Sequence, residues 1–68
     1  MSVGSVDLQR ALQELPKIYR DALVLFYLLD QPIARIAEHD RVSVGTIKSR
    51  LSRGRDLLAT HLREVDNA

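Results

Sequence analysis

The chain has 68 residues, 46% hydrophobic and 28% charged, which suits one small globular domain and lies well away from the composition of disordered chains. A domain of this length buries only about 60% of its unfolded surface, so a deep active-site pocket would consume its core, and an enzyme is not expected. It contains no cysteine, hence no disulfide framework or thiolate metal site, and its formal net charge of +1 argues against a nucleic-acid partner only if the charges are evenly spread.

Residues 1–5 have neither a basic n-region nor an apolar stretch behind them, so they read as a linker remnant or expression scar and not as a signal peptide. Leu8, Ala11, Leu12 and Leu15 then recur at i, i+3, i+4 and i+7, one stripe of an amphipathic helix that starts near Ser5 or Val6. Asp7 suits its first turn, and Pro16 ends it by disfavouring a helical Leu15. Pro16 can open a second helix at its first position, with Ile18, Ala22, Leu25, Phe26 and Leu29 as its inward stripe. Residues 22–29 form the longest apolar run, eight residues against the roughly 20 that a membrane helix needs. Leu23, Val24, Tyr27 and Leu28 make this helix apolar nearly all round, more than a small core can easily cover. They are the candidate partner interface, although each could instead simply close the core.

A short third helix follows, capped by Asp30 or Gln31, with Pro32 in its first turn and Ile33, Ile36 and Ala37 facing inward. It stops around residues 38–40. Ser43 is the expected N-cap of a fourth, long helix, whose positions Val44, Ile47, Leu51, Gly54, Leu58, Leu62 and Val65 repeat at steps of three and four. Gly54 weakens that helix by about 1 kcal/mol relative to Ala, and its missing side chain can admit the second helix closely. The expected fold is all-α: a small four-helix domain over 6–65 with a C-terminal helix-turn-helix, and a tail at 66–68.

The charge is not evenly spread. Residues 1–40 carry four basic and six acidic groups (−2), residues 56–68 one and three (−2), and residues 41–55 hold Arg41, Lys48, Arg50, Arg53 and Arg55 with no acid (+5). Five cations in one segment fit either a solvated face or an anion-binding one, and helix geometry separates the two. At about 100° per residue, Ile47, Leu51, Gly54 and Leu58 share one side. Gly45, Ser49, Ser52, Arg53 and Asp56 lie opposite. Lys48 and Arg55 border this outer face on one edge, Thr46 and Arg50 on the other. Small polar residues between two rows of cations suit a groove walled by phosphates, and a short helix followed by a basic one is the arrangement that sets its second helix in the DNA major groove.

The string Val42-Ser43-Val44-Gly45-Thr46-Ile47-Lys48-Ser49-Arg50-Leu51-Ser52-Arg53-Gly54-Arg55-Asp56-Leu57-Leu58 closely resembles the recognition helix of bacterial sigma factors. With Leu12-Gln13-Glu14-Leu15-Pro16, Tyr19-Arg20-Asp21-Ala22 and Ile36-Ala37 upstream, the chain is similar, over about residues 6–62, to the C-terminal promoter-reading domain of the extracytoplasmic-function group in the sigma-70 family. That resemblance implies a cytoplasmic transcription-initiation domain that binds the −35 element of promoter DNA, with core RNA polymerase and an anti-sigma factor as protein partners, no membrane and no cofactor. It assigns Lys48, Ser49, Ser52 and Arg53 to base edges and Thr46, Arg50 and Arg55 to phosphates. Arg41, Ser43 and the free amides of residues 44–46 join the phosphate set. Five cations on five phosphates would give a log affinity against log salt slope near −4.5. A complete factor of this kind also needs a domain for the downstream promoter element, so the chain is expected to be part of a longer protein. The alternative from another class is a sigma-like module that mainly binds an anti-sigma factor or polymerase.

The chain departs from the family pattern at Gln31, Pro32 and Arg35, which replace its usual Leu, Ser and Glu, and at Glu38-His39-Asp40-Arg41, which replaces an apolar pair and a turn Gly. Asp40 stands where a Leu would pack, so it must turn outward or find a partner such as Arg35. Arg41 lacks the freedom of Gly at positive φ, and a looser turn with weak isolated DNA binding is expected. His39 and His61 read as surface histidines. His61 with Glu64 makes at most half a metal site, and Gly4, Gly45 and Gly54 make no phosphate loop.

Overall fold

The computed structural model describes residues 5–67, with side chains over 7–63. The stretch expected to be a linker, apart from the backbone of Ser5, therefore lies outside the description, as do the side chains of Glu64, Val65 and the tail. The described chain contains four helices and no strand: α1 (Ser5–Glu14), α2 (Lys17–Leu23, running on as a π turn over Val24–Leu28), α3 (Ile33–Asp40) and α4 (Val44–Asn67). None of these helices is long and apolar enough to cross a membrane.

The stripe read for the first helix holds. Ala11 and Leu15 are buried, Leu12 packs against the core, and the Leu15 amide donates to the Leu12 carbonyl at 3.1 Å to tighten the last turn. Pro16 does not take the first helical position. It stands just outside α2 with extended backbone (ψ 146°), and its carbonyl accepts the Tyr19 and Arg20 amides.

The inward stripe of α2 differs from the one read from spacing. Ala22 is buried and Leu25 and Phe26 pack against the core as that stripe requires, but Leu23 is buried with them, whereas Ile18 is 49% and Leu29 56% exposed. Leu15, Tyr19, Ala22, Leu23 and Phe26 also recur at steps of three and four. Where residues 22–28 are all apolar, the rotation is set by what the helix packs against. Leu23 meets α4 at Gly54. The helix then widens: the Leu29 amide donates to Val24, five residues back, at 3.0 Å, and the Gln31 amide to Leu25 at 2.9 Å. Asp30 closes it in the left-handed region at φ 54°, which Asp tolerates better than most residues.

Neither Asp30 nor Gln31 caps α3. Asp30 is occupied in the left-handed turn, the Gln31 side chain reaches back to the Leu29 carbonyl at 3.3 Å, and extended Pro32 precedes the first turn. The end of α3 is a closed turn, not a loose one. Arg41 adopts φ 60°, ψ 43° despite its Cβ, its amide donates to Glu38 at 3.3 Å, and the Val42 amide donates to Ala37 at 3.0 Å. These two bonds and the packing of Val42 on the core make the left-handed helix termination normally built around Gly.

Ser43 caps α4 as expected: its Oγ accepts the Thr46 amide at 3.0 Å. Ile47 and Leu51 then enter the core with Ile36, Ala37, Ala22, Leu23 and Leu15. Val44, assigned to the same stripe, is 41% exposed, because it lies in the first turn, short of α2 and α3. Gly54 is buried, and a Cβ there would lie 3.2 Å from both Cγ and Cδ1 of Leu23, tighter than ordinary contact, so any side chain at this position obliges Leu23 to give way by a few tenths of an ångström. The 24 residues of α4, about 36 Å at 1.5 Å per residue, account for the 39 Å long axis of the molecule.

Candidate nucleic-acid interface

The Ser43 cap and the closed Arg41 turn set the start of α4 at a fixed angle to α3. The core takes Ile47 and Leu51, and this leaves the opposite side of the helix in solvent. Lys48, Ser49, Ser52 and Arg53 are all exposed there, as the helical geometry requires. Among the described residues, the side chains of Lys48, Arg53 and Arg41 make neither a hydrogen bond nor an ion pair with the protein. They are available to an anion.

A shallow, open cleft of about 630 Å³ runs beside this face, lined by Ile18 and Tyr19 of α2, by Ser43, and by Gly45, Thr46, Ser49, Arg50 and Arg53. It unites two of the four expected base-reading residues with three of the five expected phosphate residues. Ile18 is expected on the inner stripe of the second helix, and Tyr19 belongs to the family motif there. Their place at the start of α2 faces them onto α4, a juxtaposition of distant segments with no local signal.

Several phosphate candidates are already engaged. The Ser43 and Thr46 hydroxyls lie 3.0 Å apart, and the Thr46 amide is held by Ser43 Oγ, so of the first-turn amides only Val44 and Gly45 remain to meet a phosphate. Arg50 is half-buried and donates from Nη1 to Asp40 Oδ2 at 3.2 Å. Asp40 thus finds its partner ten residues on, in α4, and not in Arg35. Arg55 donates to the Tyr27 hydroxyl at 3.0 Å, which draws it off the border of the outer face toward α2.

That contact places Arg55 on the rim of a second, apolar groove of about 310 Å³ between α1, the π turn and α4, lined chiefly by Leu8, Leu12, Val24, Tyr27, Leu28 and Leu58. Tyr27 and Leu28 are 49% and 61% exposed, and the Phe26 and Tyr27 rings meet edge to face at 4.9 Å. Leu23 does not belong with the exposed interface. It is 4% exposed, forms the groove floor and is consumed by packing on Gly54. His39 is exposed in the last turn of α3, and among the described residues no three side chains are grouped to hold a metal ion.

A short helix, a tight left-handed turn and a long capped helix with an open basic face define a helix-turn-helix DNA-binding domain. The family model for sigma-70, region 4, matches residues 5–58, and the chain belongs to that family. Among curated proteins it is 36% identical to the ECF RNA polymerase sigma factor SigW of Bacillus subtilis (strain 168), over 94% of this chain and 36% of the relative. The chain thus spans little more than a third of that relative's length. No solved structure matches it.

Proposed function

We propose that this domain reads the −35 element of promoter DNA by laying the first three turns of α4 in the major groove. Lys48, Ser49, Ser52 and Arg53 face base edges, and Arg41, Thr46 and the Val44 and Gly45 amides face phosphate. The observation that carries this reading is the outer face of α4, where four small or cationic side chains stand exposed opposite Ile47 and Leu51. Lys48 and Arg53 can donate to guanine O6 and N7. Ile18 and Tyr19, across the cleft, would lie against the sugar-phosphate chain at its edge.

The engaged arginines change the expected electrostatics. With Arg50 held by Asp40 and Arg55 turned toward Tyr27, Arg41, Lys48 and Arg53 are the remaining cations of the basic segment, and three neutralised phosphates give a slope near −2.7 in place of −4.5. Fluorescence anisotropy on a −35 duplex should then show a loss of roughly 40-fold between 50 and 200 mM salt. The paired substitution Lys48→Ala with Arg53→Ala should cost at least about tenfold and abolish preference over a scrambled duplex. A slope near zero, or unchanged affinity in the paired variant, would refute DNA reading by this face.

A second role is supported by the apolar groove. Exposed Tyr27 and Leu28 beside Val24 line an apolar groove that forms a surface for a protein helix. In a sigma factor the fitting partners are core RNA polymerase and an anti-sigma factor. The location is the opposite edge of α4 from the cleft, so DNA and a protein could be held together.

A further inference from the structure

Arg50 lines the cleft beside Arg53 and Thr46, where a phosphate chain passing the start of α4 would meet it. Its guanidinium is nonetheless committed within the protein, to Asp40 Oδ2, with the Arg50 and Asp40 side chains only 22% and 27% exposed. The other Asp40 oxygen lies 3.0 Å from His39 Nδ1. Asp40 ends α3 directly before the left-handed Arg41, so the closed turn holds its backbone while its carboxylate reaches α4.

Two anions therefore have a claim on one guanidinium. A phosphate must either draw Arg50 from Asp40, leaving that carboxylate short of its partner, or share a guanidinium whose charge and orientation Asp40 already holds through one of its five N–H donors. The bond to Asp40 is single and partly exposed, so the exchange is possible but costs part of the gain. We infer that Asp40 is an internal competitor for Arg50 that lowers the affinity of this domain for promoter DNA. The inference rests on the DNA-reading function proposed above. Glu38, exposed two residues earlier and, among the described residues, without an ion pair to α4, serves as the comparison carboxylate.

The test is a double-mutant cycle read by anisotropy on −35 and scrambled duplexes across a salt series, with thermal melting of each variant. Asp40→Asn should tighten −35 binding roughly three- to fivefold, as release of a pair of this exposure allows, and steepen the salt slope by about 0.9 as Arg50 takes up a phosphate. Arg50→Ala should cost less than about twofold in the wild-type background, where Asp40 already occupies it, and should remove the whole gain in the Asp40→Asn background. Glu38→Gln should have a much smaller effect than Asp40→Asn. The inference is overturned if Asp40→Asn melts normally and binds no tighter, or if its gain persists without Arg50, which would mark a mere loss of negative charge. Should Asp40→Asn fail to fold, Arg50→Ala alone decides: a loss above about fivefold shows that Arg50 serves phosphate unrestrained. If the wild type binds neither duplex, DNA reading fails with it, whereas tight, specific binding indifferent to Asp40 removes only the competitor.

Discussion

Arg41 holds φ 60° with a Cβ, a conformation that costs an L-residue roughly 1–2 kcal/mol. The turn compensates through two backbone bonds and the packing of Val42. Arg41→Gly should therefore stabilise the domain by about 0.5–1 kcal/mol, the relieved strain less the greater chain entropy of Gly, measured as a shifted urea midpoint at constant m. The same variant should lose DNA affinity modestly, since it removes one of the three unengaged cations. The departure from a turn Gly is plain in the sequence, as is the need for Asp40 to find a partner. Its choice of Arg50 over Arg35 is not, because Arg35 lies on the same helix as Asp40 whereas Arg50 comes within reach only once α3 and α4 are fixed.

At the scale of the element, amphipathic periodicity located all four helices and the Ser43 cap, since side chains three and four apart must share a face whatever surrounds them. The same rule cannot orient the second half of α2 and the π turn, where residues 22–28 are all apolar and several stripes are equally consistent. Leu23 settles the orientation by packing on Gly54, so the contact that fixes the helix involves a residue first read as interface. Gly54→Val adds bulk where even a Cβ would lie 3.2 Å from Leu23, and it should cost about 2 kcal/mol or more by thermal melting, despite the better helix propensity of Val. Unchanged or raised stability would mean that α2 and α4 can separate without loss. The π turn at Val24–Leu28 carries no marker in the sequence. It forms where α2 must end before Pro32, with Asp30 in the left-handed region, and it is the segment that leaves Tyr27 and Leu28 facing outward.

Across the whole molecule, α4 serves two surfaces: a polar cleft with Arg50 and Arg53 on one side and an apolar groove rimmed by Arg55 on the other. Leu28→Asp places a charge in the groove at a side chain that is 61% exposed, so folding and DNA affinity should change little. Binding to core polymerase or to an anti-sigma factor, measured by calorimetry or co-elution, should fall at least about tenfold if the groove is the protein-facing surface. Equal losses for DNA and protein would instead indicate a general folding defect.

The +5 segment, the four helices, the open face of α4 and the family were legible in the sequence alone, because charge, periodicity and capping are local properties of neighbouring residues. Which of the five cations remain free for DNA was decided by the tertiary structure. Asp40 and Tyr27 come from other helices, 10 and 28 residues away along the chain, and only packing brings them to Arg50 and Arg55.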